Sequence, residues 1–134
     1  MPMSTKKRKK SEAPAASLVW FEIPADKTGR AQTFYSELFG WKIQPFPAMP
    51  DYSHINTGGA DASPDGGLMG RMHPEHTITV YFRVASVARA MAKIKRLGGK
   101  IVRPKTPIPG AGYFALCRDT EKNTFAVWES PSGK

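Results

Sequence analysis

The chain has 134 residues, 40% of them hydrophobic and 23% charged, with a formal net charge of +9. This balance fits one globular domain, and no apolar run approaches the roughly 20 residues a membrane-spanning helix needs. The N-terminus lacks the apolar run of a secretory signal and Cys117 is the single cysteine, so neither an intrachain disulfide nor a cysteine-based zinc site can form and a soluble cytoplasmic protein is expected.

Residues 1–17 hold five positive charges and one negative, leaving +5 for residues 18–134. The segment MPMSTKKRKKSEAPAAS mixes a basic block with Pro, Ala and Ser and carries no aromatic or β-branched apolar residue, which predicts a disordered tail. Its KKRKK run suits weak, salt-sensitive contact with nucleic acid, or simply a solvated, solubilising tail. A further short tail is expected at 131–134.

The body repeats itself. VWFEIPA (19–25) precedes GRAQTFYSELFGW (29–41), and VYFRVAS (80–86) precedes VARAMAKIKRLGG (87–99). At an offset of 59, Phe21 matches Val80, Ile23 matches Phe82, Leu38 matches Leu97 and Gly40 matches Gly99. In the first helix Phe34, Leu38 and Trp41 recur at helical spacing beside Tyr35 and Phe39, and Gly40 supplies the left-handed residue that closes it. In the second, Val87, Met91, Ile94 and Leu97 form the apolar stripe opposite Arg89, Lys93, Lys95 and Arg96. That basic face suits an acidic partner or plain solvent.

Three short runs follow each helix: KIQPF, YSHINTG and GGLMGRM, then KIVRPKT, GYFALCRD and NTFAVWE. The proline-rich PFPAMPD and TPIPGAG read as equivalent connections. Each half is therefore βαβββ, with modules over 18–73 and 77–130. Strand alternation turns Phe21, Ile23, Val80, Phe82, Val84, Phe125 and Val127 toward the helices. It turns Trp20, Glu22, Thr79, Tyr81, Arg83, Ala126 and Trp128 to the opposite face.

The phrases FEIPADKTGRAQTFYSELFGWKI, GGLMG, LGGKIV and IPGAGYFALCRDTEKNTF, in this order, resemble the vicinal oxygen chelate superfamily of glyoxalases, bleomycin-resistance proteins and dioxygenases, and its small glyoxalase-like proteins most. The resemblance spans about residues 18–130. It implies an α+β fold in which two βαβββ modules form a curved mixed sheet around a concave cup, with helices on the outer face. A homodimer is also implied.

The same resemblance implies a test for a metal ion. Metal-dependent members carry donors on the opening and closing strands of each half. In this chain Trp20 and Thr79 stand at the opening positions and Ala126 at the final glutamate position, while residues 66–72 contain no carboxylate, histidine or glutamine. Only Thr79 offers a donor atom, and a poor one. No metal ligand is assigned, and no cofactor is expected. A divalent ion would need displaced ligands such as Glu22, His54 or Cys117.

What remains is a cup of aromatic and apolar wall with sparse polar groups, the pattern of a small-molecule site. Trp20, Tyr81, Trp128, Met69 and Ala126 would line it, with His54 beside them. Glu22 is the candidate base and Arg83 its electrostatic support, or the two pair with each other. Tyr113, in the Gly- and Pro-rich TPIPGAGYF, would cover the mouth or else begin the next strand. The leading expectation is a glyoxalase-like protein that binds a small molecule without metal, as an enzyme or by sequestration. A divalent-metal lyase or isomerase with displaced ligands is the alternative, and a nucleic-acid-associated ligand sensor a further one. The same residues would otherwise be core filling.

Overall fold

Two strand and helix units follow one another in the predicted order in the computed structural model, which describes residues 15–59 and 64–131. They are β1 (Ser17–Ala25), α1 (Thr28–Phe39), β2 (Lys42–Phe46), β3 (Met49–Asn56) and β4 (Asp65–Gly70), then β5 (Thr79–Arg83), α2 (Val87–Arg96), β6 (Lys100–Ile108), β7 (Gly112–Arg118) and β8 (Thr124–Glu129). The strands form one mixed sheet in the order β2-β3-β4-β1-β5-β8-β7-β6. The fold is the α+β arrangement expected from the sequence. The basic run 6–10 and residues 132–134 lie outside the described residues, and Ser17, assigned to the tail, opens β1 instead. No helix among the described residues is long and apolar enough to cross a membrane.

The offset of 59 is written into the strand register. β1 pairs parallel with β4 through Phe21 with Gly66, Glu22 with Gly67 and Ile23 with Leu68. Adding 59 to each number gives Val80 with Phe125, Tyr81 with Ala126 and Phe82 with Val127, the pairs that join β5 to β8. Where the units meet, Trp20 faces Tyr81, Phe21 faces Val80 and Glu22 faces Thr79 in antiparallel register. The pseudo-two-fold axis therefore passes through the Phe21 and Val80 pair.

Alternation then divides the sheet's faces. On the helix face, Ile23, Ala25, Ile43, Ile55 and Leu68 pack beneath Ala31 and Tyr35 of α1. Ala115, Cys117 and Val127 pack beneath Val87, Met91 and Ile94 of α2. Cys117 sits wholly inside this second cluster, where burial pushes its thiol up to about 11, so it is an apolar filler remote from any donor on the other face.

Three expectations need correction here. Phe34, Leu38 and Phe39 of α1 and Leu97 after α2 are more than half exposed, so the apolar stripes are wider than the surface each helix buries. The prolines do not mark long connections. Pro45 lies in β2, and Pro104 and Pro107 in β6, the two edge strands, where a missing N–H breaks no inner ladder. Tyr113 belongs to the helix face. It is registered opposite Glu129, and Lys105 Nζ stands 4.5 Å over its ring, so it does not cover the cup.

Glu129 links β8 to α2. Its Oε1 accepts the N–H of Val87 at 2.8 Å and lies 3.5 Å from Lys105 Nζ. A carboxylate at the start of a helix satisfies a backbone donor that has no partner within the helix and complements the helix dipole. Ser86 caps the same turn through the N–H of Arg89 at 3.1 Å. Glu129→Ala is expected to cost about 1–2 kcal/mol, lowering Tm by roughly 4–10 °C with the far-ultraviolet spectrum unchanged. Thermal denaturation checks this, and an unshifted Tm would show that the contact does not contribute.

Candidate functional site

Register ties the cup-face residues into transverse rows. One row runs Asp65, Trp20, Tyr81, Ala126, Leu116 and Arg103, from β4 across the axis to β6. Beside it runs a second, with His54, Gly67, Glu22 and Thr79 on one side and Thr124 opposite Arg118 on the other. The site is built where these rows cross the axis.

Glu22 is its centre. Tyr52 Oη donates to Glu22 Oε2 at 2.8 Å and Tyr81 Oη to Oε1 at 3.0 Å, while the Trp20 indole N–H donates to Tyr52 Oη at 2.8 Å. Each carboxylate oxygen therefore has a phenol, and one phenol is itself held by the indole. Burial pushes the Glu22 carboxyl above the usual range, and the hydrogen bonds from Tyr52 and then Tyr81 oppose the shift. Burial and the facing Glu22 charge push both phenols up, so neither ionises near neutrality.

Gly67 makes this geometry possible. A Cβ there would lie 2.0 Å from Tyr52 Oη, in the space through which the phenol reaches Glu22. By the repeat, Gly67 is the mate of Ala126. The two positions where a closing-strand carboxylate would point into the cup therefore carry no donor in either half.

Around the centre stand aromatic walls. Trp20 stacks on His54 with ring centroids 5.8 Å apart and planes at 9°, and Phe46 leans on both Tyr52 and His54. His54 Nε2 is 3.0 Å from Asp65 Oδ2, and a carboxylate only accepts, so Nε2 carries the proton. Asp65 Oδ1 takes the backbone N–H of Thr57 at 3.1 Å, fixing the carboxylate that fixes His54. On the far side Tyr81 lies 6.1 Å from Phe114, the Trp128 indole donates to the Ala111 carbonyl at 2.6 Å, and Arg83 lies 5.7 Å over the Trp128 ring.

Of the residues singled out in the sequence, the cup face carries Trp20, Glu22, His54, Tyr81, Ala126 and Trp128, together with Met69 opposite Tyr52 and Arg83 opposite Ser17. Arg83 stands away from Glu22: four residue steps along β5, roughly 13 Å of strand, separate it from Thr79, the neighbour of Glu22. Glu22 takes phenols in place of the imagined ion pair. Ala126 is fully buried, so the gap at its side chain is covered rather than open. Tyr52 and Asp65 are the residues that sequence reasoning missed. Tyr52 shares parity with His54 in YSHIN, the signal that would have found it. Asp65 lies one residue before the strand as read.

These side chains do not make a divalent-ion site. The Trp20 nitrogen is a donor already spent on Tyr52, Thr79 Oγ1 is turned to the Thr77 carbonyl at 3.2 Å, and Gly67 and Ala126 offer nothing. Among the described residues no three His, Cys, Asp or Glu side chains converge. The arrangement suits proton transfer instead. A raised carboxylate between two neutral phenols can accept a proton from a bound molecule while a phenol hydrogen-bonds an oxygen that gains charge.

Glu22 also sets a pH dependence. Its folded pKa lies above the unfolded value, so its contribution to stability is complete below the unfolded value of about 4.5 and is lost as pH rises through the folded pKa. Tm of the protein is expected to fall across that interval, above the ordinary carboxylate range, and Glu22→Gln should flatten the fall because the amide never ionises. Parallel slopes for the two proteins would remove Glu22 as the cause.

A family model for the bleomycin resistance protein-like N-terminal domain matches residues 17–58. A "Glyoxylase-like domain-containing protein" from Didymella fabae is 32% identical over 116 residues, covering 82% of this chain and 91% of that protein. Among solved structures, a glyoxalase/bleomycin resistance protein/dioxygenase superfamily member from Vibrio splendidus 12B01 aligns with a TM-score of 0.61 at 10% identity, over 87% of this chain and 100% of the other. Methylmalonyl-CoA epimerase from Mycobacterium tuberculosis aligns with a TM-score of 0.62 at 10% identity, over 85% and 87%. At such identities the structural matches speak for the fold alone.

Proposed function

The chain belongs to the glyoxalase/bleomycin-resistance superfamily, and from that premise we propose that it binds a small organic molecule in the cup without a metal ion, Glu22 acting as the acid-base group. One observation carries the reading: the centre of the cup holds a carboxylate clasped by Tyr52 and Tyr81, where no three His, Cys, Asp or Glu side chains converge among the described residues. A ligand oxygen that takes the hydrogen bond of either phenol frees one carboxylate oxygen to receive a proton. Trp20, His54, Met69 and Trp128, all half-buried, supply the apolar surface against which the ligand's body lies.

Thermal-shift titration with a panel of small organic acids, ketones and aromatics tests the reading. A ligand at about 100 times its Kd adds about 2.7 kcal/mol, a rise of several degrees in Tm. The rise is expected to survive EDTA and to be lost in Met69→Trp, which fills the cup. A shift that requires an added divalent ion would overturn the metal-free reading in favour of displaced ligands.

The partner proposed is a second copy of the chain. Phe34, Leu38 and Phe39 project from α1 with more than half their surface exposed. Beside them an apolar groove of about 410 Å³ opens between α1 and the sheet, lined by Leu18, Phe21, Tyr35, Trp41, Ile78 and Val80. A knob and a groove on one surface are what a self-complementary two-fold interface needs. Light scattering is expected to give a dimer, converted to monomer by Phe34→Glu with Leu38→Glu; a monomeric wild-type chain at about 100 times a micromolar Kd would exclude it.

A further inference from the structure

The two halves of the cup differ in charge. The first carries Glu22 and the Asp65 and His54 pair. The second carries Arg83, Arg103 and Arg118 and, among the described residues of its strands, no carboxylate on that face, as the register shows: past the register shift after Ile101, Arg103 opposes Leu116, and Arg118 opposes Thr124 in the register that places Leu116 beside Ala126. Arg103 is close enough to Tyr81 that its charge counters the upward shift of that phenol, although three strand steps separate them.

Arg118 supplies the independent observation. Its Nε is buried and has no hydrogen-bond partner among the described residues. The adjacent carboxylate, Asp119, is committed to its own turn, accepting the N–H groups of Glu121 and Asn123 at 2.8 and 2.9 Å and the Asn123 amide at 3.1 Å. A buried charged donor without an acceptor is unfavourable, and an oxyanion is the group that best completes it.

We infer that Arg103 and Arg118 form an oxyanion subsite in the second half of the cup, so that the ligand is a small organic anion whose carboxylate or phosphate group lies there and whose body extends toward Trp20 and Glu22. This rests on the cup being the ligand site. β7 and β1 are three strand spacings apart, roughly 14 Å along the sheet and less across its curve, which limits the ligand to a small molecule. The anion end and the proton-transfer end are then held by opposite modules. A ligand binds in one orientation only.

The test uses the full chain labelled with nitrogen-15, titrated at constant ionic strength with benzoate, phenyl phosphate and neutral benzamide. The arginine Nε–H and the Trp20 indole signals are followed. Benzoate or phenyl phosphate is expected to shift the Arg118 Nε–H saturably, and the tighter of the two identifies the oxyanion. The exposed Arg103→Gln should weaken binding about tenfold, as should Arg118→Lys, which keeps the charge but loses the Nε–H. Equal affinity for benzamide, a non-saturating shift, or unchanged affinity in Arg103→Gln overturns the subsite. If benzamide shifts Trp20 while the arginines stay silent, the cup survives as an apolar site and the subsite alone falls. If none of the three moves either signal, both fall.

Discussion

A carboxylate withdrawn from water is costly unless its oxygens are hydrogen-bonded, and the arrangement of the cup follows from how that requirement is met at Glu22. Two phenols from different strands converge on it. For Tyr52 to arrive, Gly67 must lack a side chain, and for Tyr52 to hold its angle the Trp20 indole must donate to it. Trp20 in turn is fixed by stacking on His54, and His54 by Asp65. From one buried charge, a chain of dependence reaches through β1, β3 and β4 and crosses the axis to Tyr81 on β5.

The repeat explains why this centre is asymmetric. Glu22 and Tyr81 are mates at the offset of 59, so the Tyr81 hydrogen bond joins the same position of the two units in different chemical dress. A symmetric pair of carboxylates there would repel, and a symmetric pair of phenols would have no base. Divergence at one position made a donor and an acceptor out of a duplicate. The same divergence separates acid from base across the cup as a whole.

Much of this was legible in the sequence and some was not, for identifiable reasons. The offset of 59 was visible because Phe21 and Ile23 and their mates Val80 and Phe82 keep an apolar type on the helix-facing side of β1 and β5, whereas Leu38 and Leu97 match although both are more than half exposed. Face assignments at Trp20, Glu22, Tyr81 and Trp128 followed from alternation alone. Tyr113 was misplaced although its parity matches Ala115 and Cys117, because the glycine-rich run around it suggested a loop. Tyr52 stands at none of the positions where the resemblance implies a metal ligand, so only its shared parity with His54 marks it as a cup residue. Phe34 and Leu38 recur at helical spacing yet stay exposed, because periodicity tells an apolar stripe from a polar one, not which part of a wide stripe meets the sheet.

The prolines of the outer strands have a consequence beyond their own ladders. An open sheet of eight strands has two rims of unpaired backbone, each a template on which another chain could add. Pro45 on β2 and Pro104 and Pro107 on β6 remove donors from both rims, and the irregular register at Pro45 and between Arg103 and Thr106 bends the strands that carry them. Growth into a continuous filament of sheets is thereby discouraged at either end. The self-association proposed through α1 uses the helix side instead, where a two-fold contact would close after two copies and not propagate.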